Sequence, residues 1–230
     1  MAKFFILGAG LGTRLFPFSF VIPKVLLPVG NKPCIRWIVD SIIRQGFKED
    51  IFICCLRRDL DLFQHEFRDA EVQFIISEEP LGSAGQLYSV KDMITEDFVV
   101  WYGDDLIALD LDDLFFEYKK NNSDAMLVVT PNVPTDFGIV NFDEKLRFIK
   151  HFEEKHFVGK DVWSGVAVFD KSVKKYLRKN WDFARDVFSK MLKDGCKLQV
   201  YVSNSVWFDI GNVASYMKAN ELARKGELKL

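Results

Sequence analysis

Between Gly8 and Lys24 the chain reads GAGLGTRLFPFSFVIPK, in which three glycines (Gly8, Gly10 and Gly12) precede Thr13 and two cations, Arg14 and Lys24. Glycines in a turn let backbone N–H groups close on an anion, and cations beside such a concavity neutralise phosphate charge. An arginine forks across two phosphate oxygens, whereas a lysine delivers one compact charge. The combination predicts phosphate or nucleotide binding. Two better-known phosphate motifs do not fit. The dinucleotide fingerprint G-x-G-x-x-G ends on Thr13 when started at Gly8 and on Leu15 when started at Gly10, and no G-K-[ST] closes a P-loop. Pro23, Pro28 and Pro33 stiffen the long segment and reduce the entropy lost in ordering it.

Such groups need a rigid edge to sit on, and the surrounding pattern supplies one. Lys3–Leu7, Ile51–Cys55, Val72–Ile76, Phe98–Trp101 and Ala125–Val129 are short apolar runs rich in Ile, Val and Phe. They alternate with helical patterns, which predicts an α/β fold: a Rossmann-like, mainly parallel sheet with helices on both faces. Ile35, Ile38, Val39, Ile42 and Ile43 recur at helical spacing and stop at Gly46. Asp110 is the expected N-cap of a helix with Asp112 and Asp113 in its first turn and Leu111, Leu114, Phe115 and Tyr118 on one face. After Pro131 the reading changes to a β-rich insertion, with strands expected at Gly138–Phe142, Leu146–Phe152, Trp163–Phe169 and Lys197–Val202. Helix is expected between Lys171 and Leu192, and a closing helix runs from Val213 to about Arg224. No linker or repeat divides the chain, so residues 1–230 read as one domain.

Composition narrows the function classes. Thirty-one basic residues against 33 acidic give a net charge of −2, so no global basic field draws nucleic acid or an anionic membrane. No apolar run approaches the roughly 18 residues of a membrane span. The apolar stretch after Lys3 is too short for an export signal, so a cytoplasmic protein is expected. Cys34, Cys54, Cys55 and Cys196 form no C-x-x-C pair and read as free thiols. His65, His151 and His156 lack metal-ligand spacing and read as surface residues. Phenylalanine is abundant, at 22 of 230 residues. Phe4, Phe5, Phe52, Phe74, Phe98 and Phe169 fall in expected strands, and Phe16, Phe18 and Phe20 are expected to pin the glycine loop onto the sheet.

Gly8–Pro33 (GAGLGTRLFPFSFVIPKVLLPVGNKP) resembles the signature of the sugar-1-phosphate nucleotidyltransferases, or NDP-sugar pyrophosphorylases. Further segments resemble that family in the family's order. EEPLGSAG (Glu78–Gly85) is similar to its P-x-G-T-A-G, WYGDDL (Trp101–Leu106) to its N-G-D, and Phe137–Gly138 to its Y-G. FEEK (Phe152–Lys155) is similar to its F-x-E-K-P, and RDVF (Arg185–Phe188) with WFDIGN (Trp207–Asn212) to its closing D-V-F and W-x-D-I-G-T.

The resemblance implies a GT-A-like fold whose β-rich insertion binds sugar, and transfer of a nucleoside monophosphate from a nucleoside triphosphate to a sugar-1-phosphate. Asp104 and Asp209 would then hold Mg²⁺, with Phe208 shielding the ion. Arg14 would hold the triphosphate tail and Lys24 would neutralise charge near the reacting phosphates. Gly8, Gly10, Gly12, Thr13 and Gly82 would line the nucleotide; Gly138 and Glu154 would contact sugar hydroxyls, and Lys155 the sugar phosphate. Trp163, where the family has Asn, would alter the sugar contact. Glu78 beside the expected base position favours guanine, because a carboxylate only accepts and guanine's Watson–Crick edge offers adjacent donors. The resemblance also implies alternatives: uridylyl, thymidylyl or cytidylyl transfer, phosphocholine as acceptor, or a catalytically silent regulatory homologue. An NAD-dependent oxidoreductase is disfavoured by the failed fingerprint. The C-terminal β-helix of many relatives is not expected, and a homo-oligomer is among the options for assembly.

Overall fold

The computed structural model describes residues 2–120, 122–131, 139–142, 149–153, 161–228 and 230, with 139–142 and 149–153 described by backbone alone. The chain begins with β1 (Lys3–Leu7), the glycine loop, a two-residue ladder of β2 (Pro28–Val29) and β3 (Lys32–Pro33), and α1 (Cys34–Arg44). It continues through β4 (Ile51–Leu56), α2 (Leu60–Glu66), β5 (Gln73–Ser77), β6 (Phe98–Tyr102), β7 (Asp105–Ile107) and α3 (Leu111–Lys120). Next come β8 (Ala125–Thr130), β9 (Ile139–Phe142), β10 (Ile149–Glu153) and β11 (Val162–Phe169). The chain closes with α4 (Phe188–Lys193), β12 (Leu198–Val202), β13 (Trp207–Asp209) and α5 (Val213–Arg224).

Among the described residues seven strands form one sheet in the order β12-β8-β11-β6-β1-β4-β5. All of its neighbours pair in parallel except β11, which runs antiparallel to both β6 and β8. The expected parallel α/β core is therefore present. β9 and β10 pair antiparallel within the expected β-rich insertion.

Each face of the sheet has its own core. On one face, α1 buries Ile35, Ile38, Val39 and Ile42 completely. Each such side chain contributes about 1.5–3 kcal/mol of transfer free energy, which holds α1 in place although no side chain caps its start at Pro33. Leu111, Leu114 and Tyr118 of α3 join the same core, and the expected cap is formed, with Asp113 N–H donating to Asp110 Oδ1 at 3.0 Å. On the other face a chain of rings crosses the strands. Phe5 stacks on Phe52 at 5.1 Å, Phe98 on Phe169 at 5.2 Å, and Phe169 on Phe183 at 5.3 Å. Phe5, Phe52, Phe98, Phe169, Phe183 and Phe188 sit in this second core, and Phe4, Phe63, Phe67 and Phe208 in the first.

The expectation for Phe16, Phe18 and Phe20 is overturned. They are 43%, 51% and 74% exposed, and Phe16 stacks on Phe20 at 4.1 Å instead of on the sheet. The loop folds as short 3₁₀ turns at Thr13–Leu15, Phe18–Phe20 and Lys24–Leu26; the first and last bury Leu15, Val25 and Leu26, and the middle one buries nothing. Aliphatic residues therefore anchor the loop at its two ends.

Candidate functional site

Leu7 at the end of β1 lies opposite Tyr102 of β6 and Cys54 of β4, and Leu56 of β4 lies opposite Ser77 of β5. The residues that follow these strands, Gly8 onward, Gly103–Asp105, Arg57–Arg58 and Glu78, consequently emerge side by side. From β1 the chain proceeds to β4 on one side, and from β6 it proceeds to strands on the other. That divergence is the switch point at which open α/β sheets leave a crevice for ligands.

Glycine is required where the loop crosses this edge. Gly8 N–H donates to Cys54 O at 2.9 Å, and a Cβ on Gly8 would lie 2.8 Å from that oxygen. Its N–H is thus committed to the sheet, and the expected nucleotide contact from Gly8 cannot use that donor. Gly12 has φ +62°, and a Cβ there would meet the Cβ of Lys24 at 2.9 Å, so its absence lets the lysine stem pass beneath the loop. Ser19 Oγ donates to Gly12 O at 2.7 Å and closes the turn. Gly10, Thr13 and Arg14 are exposed. A cavity of about 320 Å³ opens beside them, lined by Gly10, Leu11, Phe16, Ser19, Arg58 and Asp59.

The sequence-distant charges converge here. Lys24 Nζ is ion-paired with Asp104 Oδ2, their side chains 16% and 9% exposed. Arg14 Nη2 lies 4.0 Å from Asp209 Oδ2. Asp104 is held by its neighbours' backbone: Gly103 N–H donates to Leu7 O and Ile210 N–H to Asp104 O, both at 3.0 Å. Gly211 N–H donates to Asp209 Oδ1 at 2.6 Å, and a Cβ on Gly211 would collide with both Asp209 and Arg14. Burial and the nearby Asp104 carboxylate push the Asp209 carboxyl above its usual range, offset in part by the Gly211 N–H, Lys24 and Arg14. Phe208 is buried in the first core beside this group.

Sequence reasoning missed Asp105. It is buried, and burial followed by the charges of Asp104 and Asp209 pushes its carboxyl well above the usual range. Trp207 Nε1–H donates to its Oδ1 at 2.9 Å. Two adjacent aspartates look alike in a sequence; the pairing of β7 with β13 gives them different surroundings.

Around this centre the remaining expected residues divide. Glu78 is exposed at the sheet edge, where Arg57 Nε donates to it at 3.1 Å. Gly82, at φ +74°, abuts the backbone of Trp181; Ser83 Oγ donates to Asp182 Oδ2 at 2.7 Å and accepts Phe183 N–H at 2.8 Å. The EEPLGSAG segment is thereby latched to the chain just before RDVF. The Trp163 indole is half-buried, donating to Val166 O at 2.8 Å and packing edge-on against Tyr102 at 5.1 Å and Phe188 at 4.9 Å. Gly138, Glu154, Lys155 and His156 lie outside the described residues, as does the side chain of His151; His65 is exposed as expected. Among the described residues no group of three or more His, Cys, Asp or Glu side chains is arranged to hold a metal ion, and no helix is long and apolar enough to cross a membrane. Cys34, Cys54, Cys55 and Cys196 are free thiols.

Over residues 3–226 the sequence matches the nucleotidyl transferase family. The chain belongs to that family. It is 28% identical to a mannose-1-phosphate guanylyltransferase of Mycobacterium tuberculosis, over 94% of this chain and 62% of the relative. It is also 28% identical to a UTP–glucose-1-phosphate uridylyltransferase of Synechocystis sp., over 99% of this chain and 64% of the relative. The chain therefore spans less than two thirds of the length of these curated relatives. Among solved structures, HddC from Yersinia pseudotuberculosis complexed with GMP-PN matches it with a TM-score of 0.73 at 25% identity, over 96% of this chain and 99% of that one. The resemblance read from Gly8–Pro33 and the later segments is borne out at the level of family and fold.

Proposed function

We propose that this chain is a catalytic domain that transfers a nucleoside monophosphate from a nucleoside triphosphate to a sugar-1-phosphate. One observation carries the reading: Arg14, Lys24, Asp104 and Asp209 converge at the switch point of a nucleotidyl transferase fold. In the reaction a sugar-phosphate oxygen attacks the α-phosphorus. A new P–O bond forms, the bond between the α-phosphorus and the bridging oxygen breaks, and pyrophosphate leaves with the electron pair. Two anions must be held in line and their charge neutralised, which is a task of position and electrostatics.

Arg14 is exposed and only loosely engaged with Asp209, so it is free to fork onto the triphosphate tail. Lys24 holds a fixed positive charge beneath the glycine loop, where charge builds up on the reacting phosphates. Two aspartates with hard oxygen donors suit Mg²⁺, which takes one or two protein carboxylates and fills its shell with water and phosphate. Asp104 and Asp209 would hold it, and when bound it screens the repulsion between the reactants. Gly10, Gly12 and Thr13 would line the phosphate side and Gly82 the nucleoside side, and the resemblance assigns Gly138 and Glu154 to the sugar hydroxyls and Lys155 to the sugar phosphate. Trp163, held by Val166 O, Tyr102 and Phe188, would replace the family's small polar contact to the sugar.

For the base we propose guanine. Glu78 presents acceptors and its partner Arg57 presents donors, and together they match the donor–donor–acceptor edge of guanine. The guanylyltransferase relative supports this choice and the uridylyltransferase relative offers the alternative. The test uses GTP labelled at the α-phosphate. Label entering a nucleotide sugar, with release of unlabelled pyrophosphate, is expected only when a sugar-1-phosphate is present, and Glu78→Gln should erode the preference for GTP over UTP. Release of labelled GMP without acceptor, or a base preference unmoved by the substitution, would count against the respective claim.

A further inference from the structure

Asp105 is a buried carboxylate with three distinct neighbours. β7 and β13 pair antiparallel with Asp105 opposite Asp209 and Ile107 opposite Trp207, so Asp105 sits on the ladder that carries one of the two site aspartates, and it directly follows the other. Its Oδ1 accepts the Trp207 indole N–H at 2.9 Å, and its backbone carbonyl accepts the Trp101 indole N–H at 2.9 Å. Its Oδ2 lies against Gly165, where a Cβ would be only 2.0 Å away. Gly165 has φ +79° at an irregularity of β11 between Trp163 and Ala167, so the strand bulges to present a hydrogen where any other residue would present a methyl or more. That bulge also carries Trp163, whose ring packs on Tyr102 just before Gly103 and Asp104.

A ladder of three residue pairs does not need an acid in its interior; an apolar side chain would fill the space at lower cost. What an apolar residue cannot do is accept the Trp207 indole N–H, and the second oxygen fills the space beside Gly165. We infer that Asp105 is a positioning residue that sets the placement of Asp209 against Asp104 through the Trp207 indole. The inference deepens the proposed transferase reading and rests on it for its kinetic consequence. If the indole N–H is removed, the buried Oδ1 is left without its donor and the hydrogen bond that ties Trp207 to β7 is lost. The unpaired acceptor carries its desolvation cost, and β13 shifts against β7. Removing the acceptor as well, with an apolar side chain of similar shape, relieves that cost.

Three variants test this. Trp207→Phe keeps an aromatic ring and deletes the donor; its kcat is expected to fall by roughly 10²-fold, the scale of an ångström-sized misplacement. KM for the nucleoside triphosphate should stay within about threefold, since the interaction lost is one that matters in the transition state. Asp105→Asn retains an acceptor for the indole and should keep at least about a third of kcat. The double variant, Trp207→Phe with Asp105→Leu, removes both partners and should return to about the level of Asp105→Asn, a non-additivity expected only of directly coupled groups. Crystal structures give a readout independent of turnover: the Asp209 carboxylate should be displaced relative to Asp104 in Trp207→Phe and restored in the double variant. If Trp207→Phe does not fold, folding of the double variant carries the same support and its failure to fold overturns the inference. An unmoved Asp209 in Trp207→Phe, a loss that the double variant does not rescue, or an Asp105→Asn loss as deep as that of Trp207→Phe also overturns it. Absence of transfer in the wild type would defeat the proposed function instead, and the carboxylate positions would still decide the role of Asp105.

Discussion

Replacing Lys24 by methionine deletes the ammonium that faces Asp104 and leaves a stem of similar length. Both side chains of the pair are largely sequestered, at 16% and 9% exposure, so Asp104 would be left as an unpaired anion near two further carboxylates. Breaking a buried pair from one side costs about 3–5 kcal/mol. The Arg57–Glu78 pair is an internal control, since its side chains are 56% and 74% exposed and an exposed pair is worth about 0–1 kcal/mol. For a chain of this length each kcal/mol moves the melting temperature by roughly 2–4 °C, so Lys24→Met should lower it by about 6–20 °C. Arg57→Met should lower it by no more than about 4 °C. The assay is urea and thermal unfolding in metal-free buffer at neutral pH. Adding Asp104→Asn to Lys24→Met should recover most of the loss, because no unpaired charge then remains. A Lys24→Met protein within about 1 kcal/mol of the wild type, or one that the second substitution does not rescue, would show that this pair is solvated and that the burial argument is wrong.

Gly165→Ala combines a left-handed backbone, worth about 1–2 kcal/mol, with overpacking against Asp105, worth about 1–3 kcal/mol. A urea midpoint equal to the wild type's would contradict the contact described at that glycine. Asp209→Asn should be stabilised relative to the wild type in metal-free buffer, and increasingly so as pH rises from about 4. The sign follows from the raised carboxyl: the native state keeps this proton when the unfolded chain has released it, so ionisation erodes wild-type stability on going up in pH. A stability difference between the two proteins that is flat with pH would refute it. The same variant should depress turnover by about 10²–10³-fold, as for removal of a group that stabilises developing charge. With a thiol reagent the native protein should react first at half-buried Cys196; Cys34, Cys54 and Cys55 are buried, which pushes all three thiols up, Cys55 to about 11. Early labelling of Cys54, followed by peptide mass analysis, would contradict the packing of β4.

Where an element is long and locally periodic, the sequence is readable. The isoleucine stripe of α1 and the capped, acidic start of α3 follow from side-chain spacing alone, and the parallel strands differ from expectation by a residue or so at their ends. β7 and β13 leave no such trace, because three-residue strands have no period and their pairing spans about half the chain. The 3₁₀ segment Gly85–Met93 is similarly silent, its apolar residues lacking a continuous stripe. The convergence of Arg14, Lys24, Asp104 and Asp209 was legible because they sit in ordered motifs. Asp105 and Gly165 were not, since one needs the indole of Trp207 and the other a positive φ set by a distant carboxylate. The exposed Phe16, Phe18 and Phe20 show the limit of composition: ring count does not say which turn faces the core.

The central claim is most directly tested by one matrix: four nucleoside triphosphates against a panel of sugar-1-phosphates, with Mg²⁺ present, scored by pyrophosphate release. Release is expected only where triphosphate and sugar phosphate are both supplied, is greatest with GTP, and is abolished by Asp104→Asn. Pyrophosphate release indifferent to the sugar phosphate, or none in any cell of the matrix with folded protein, would contradict it.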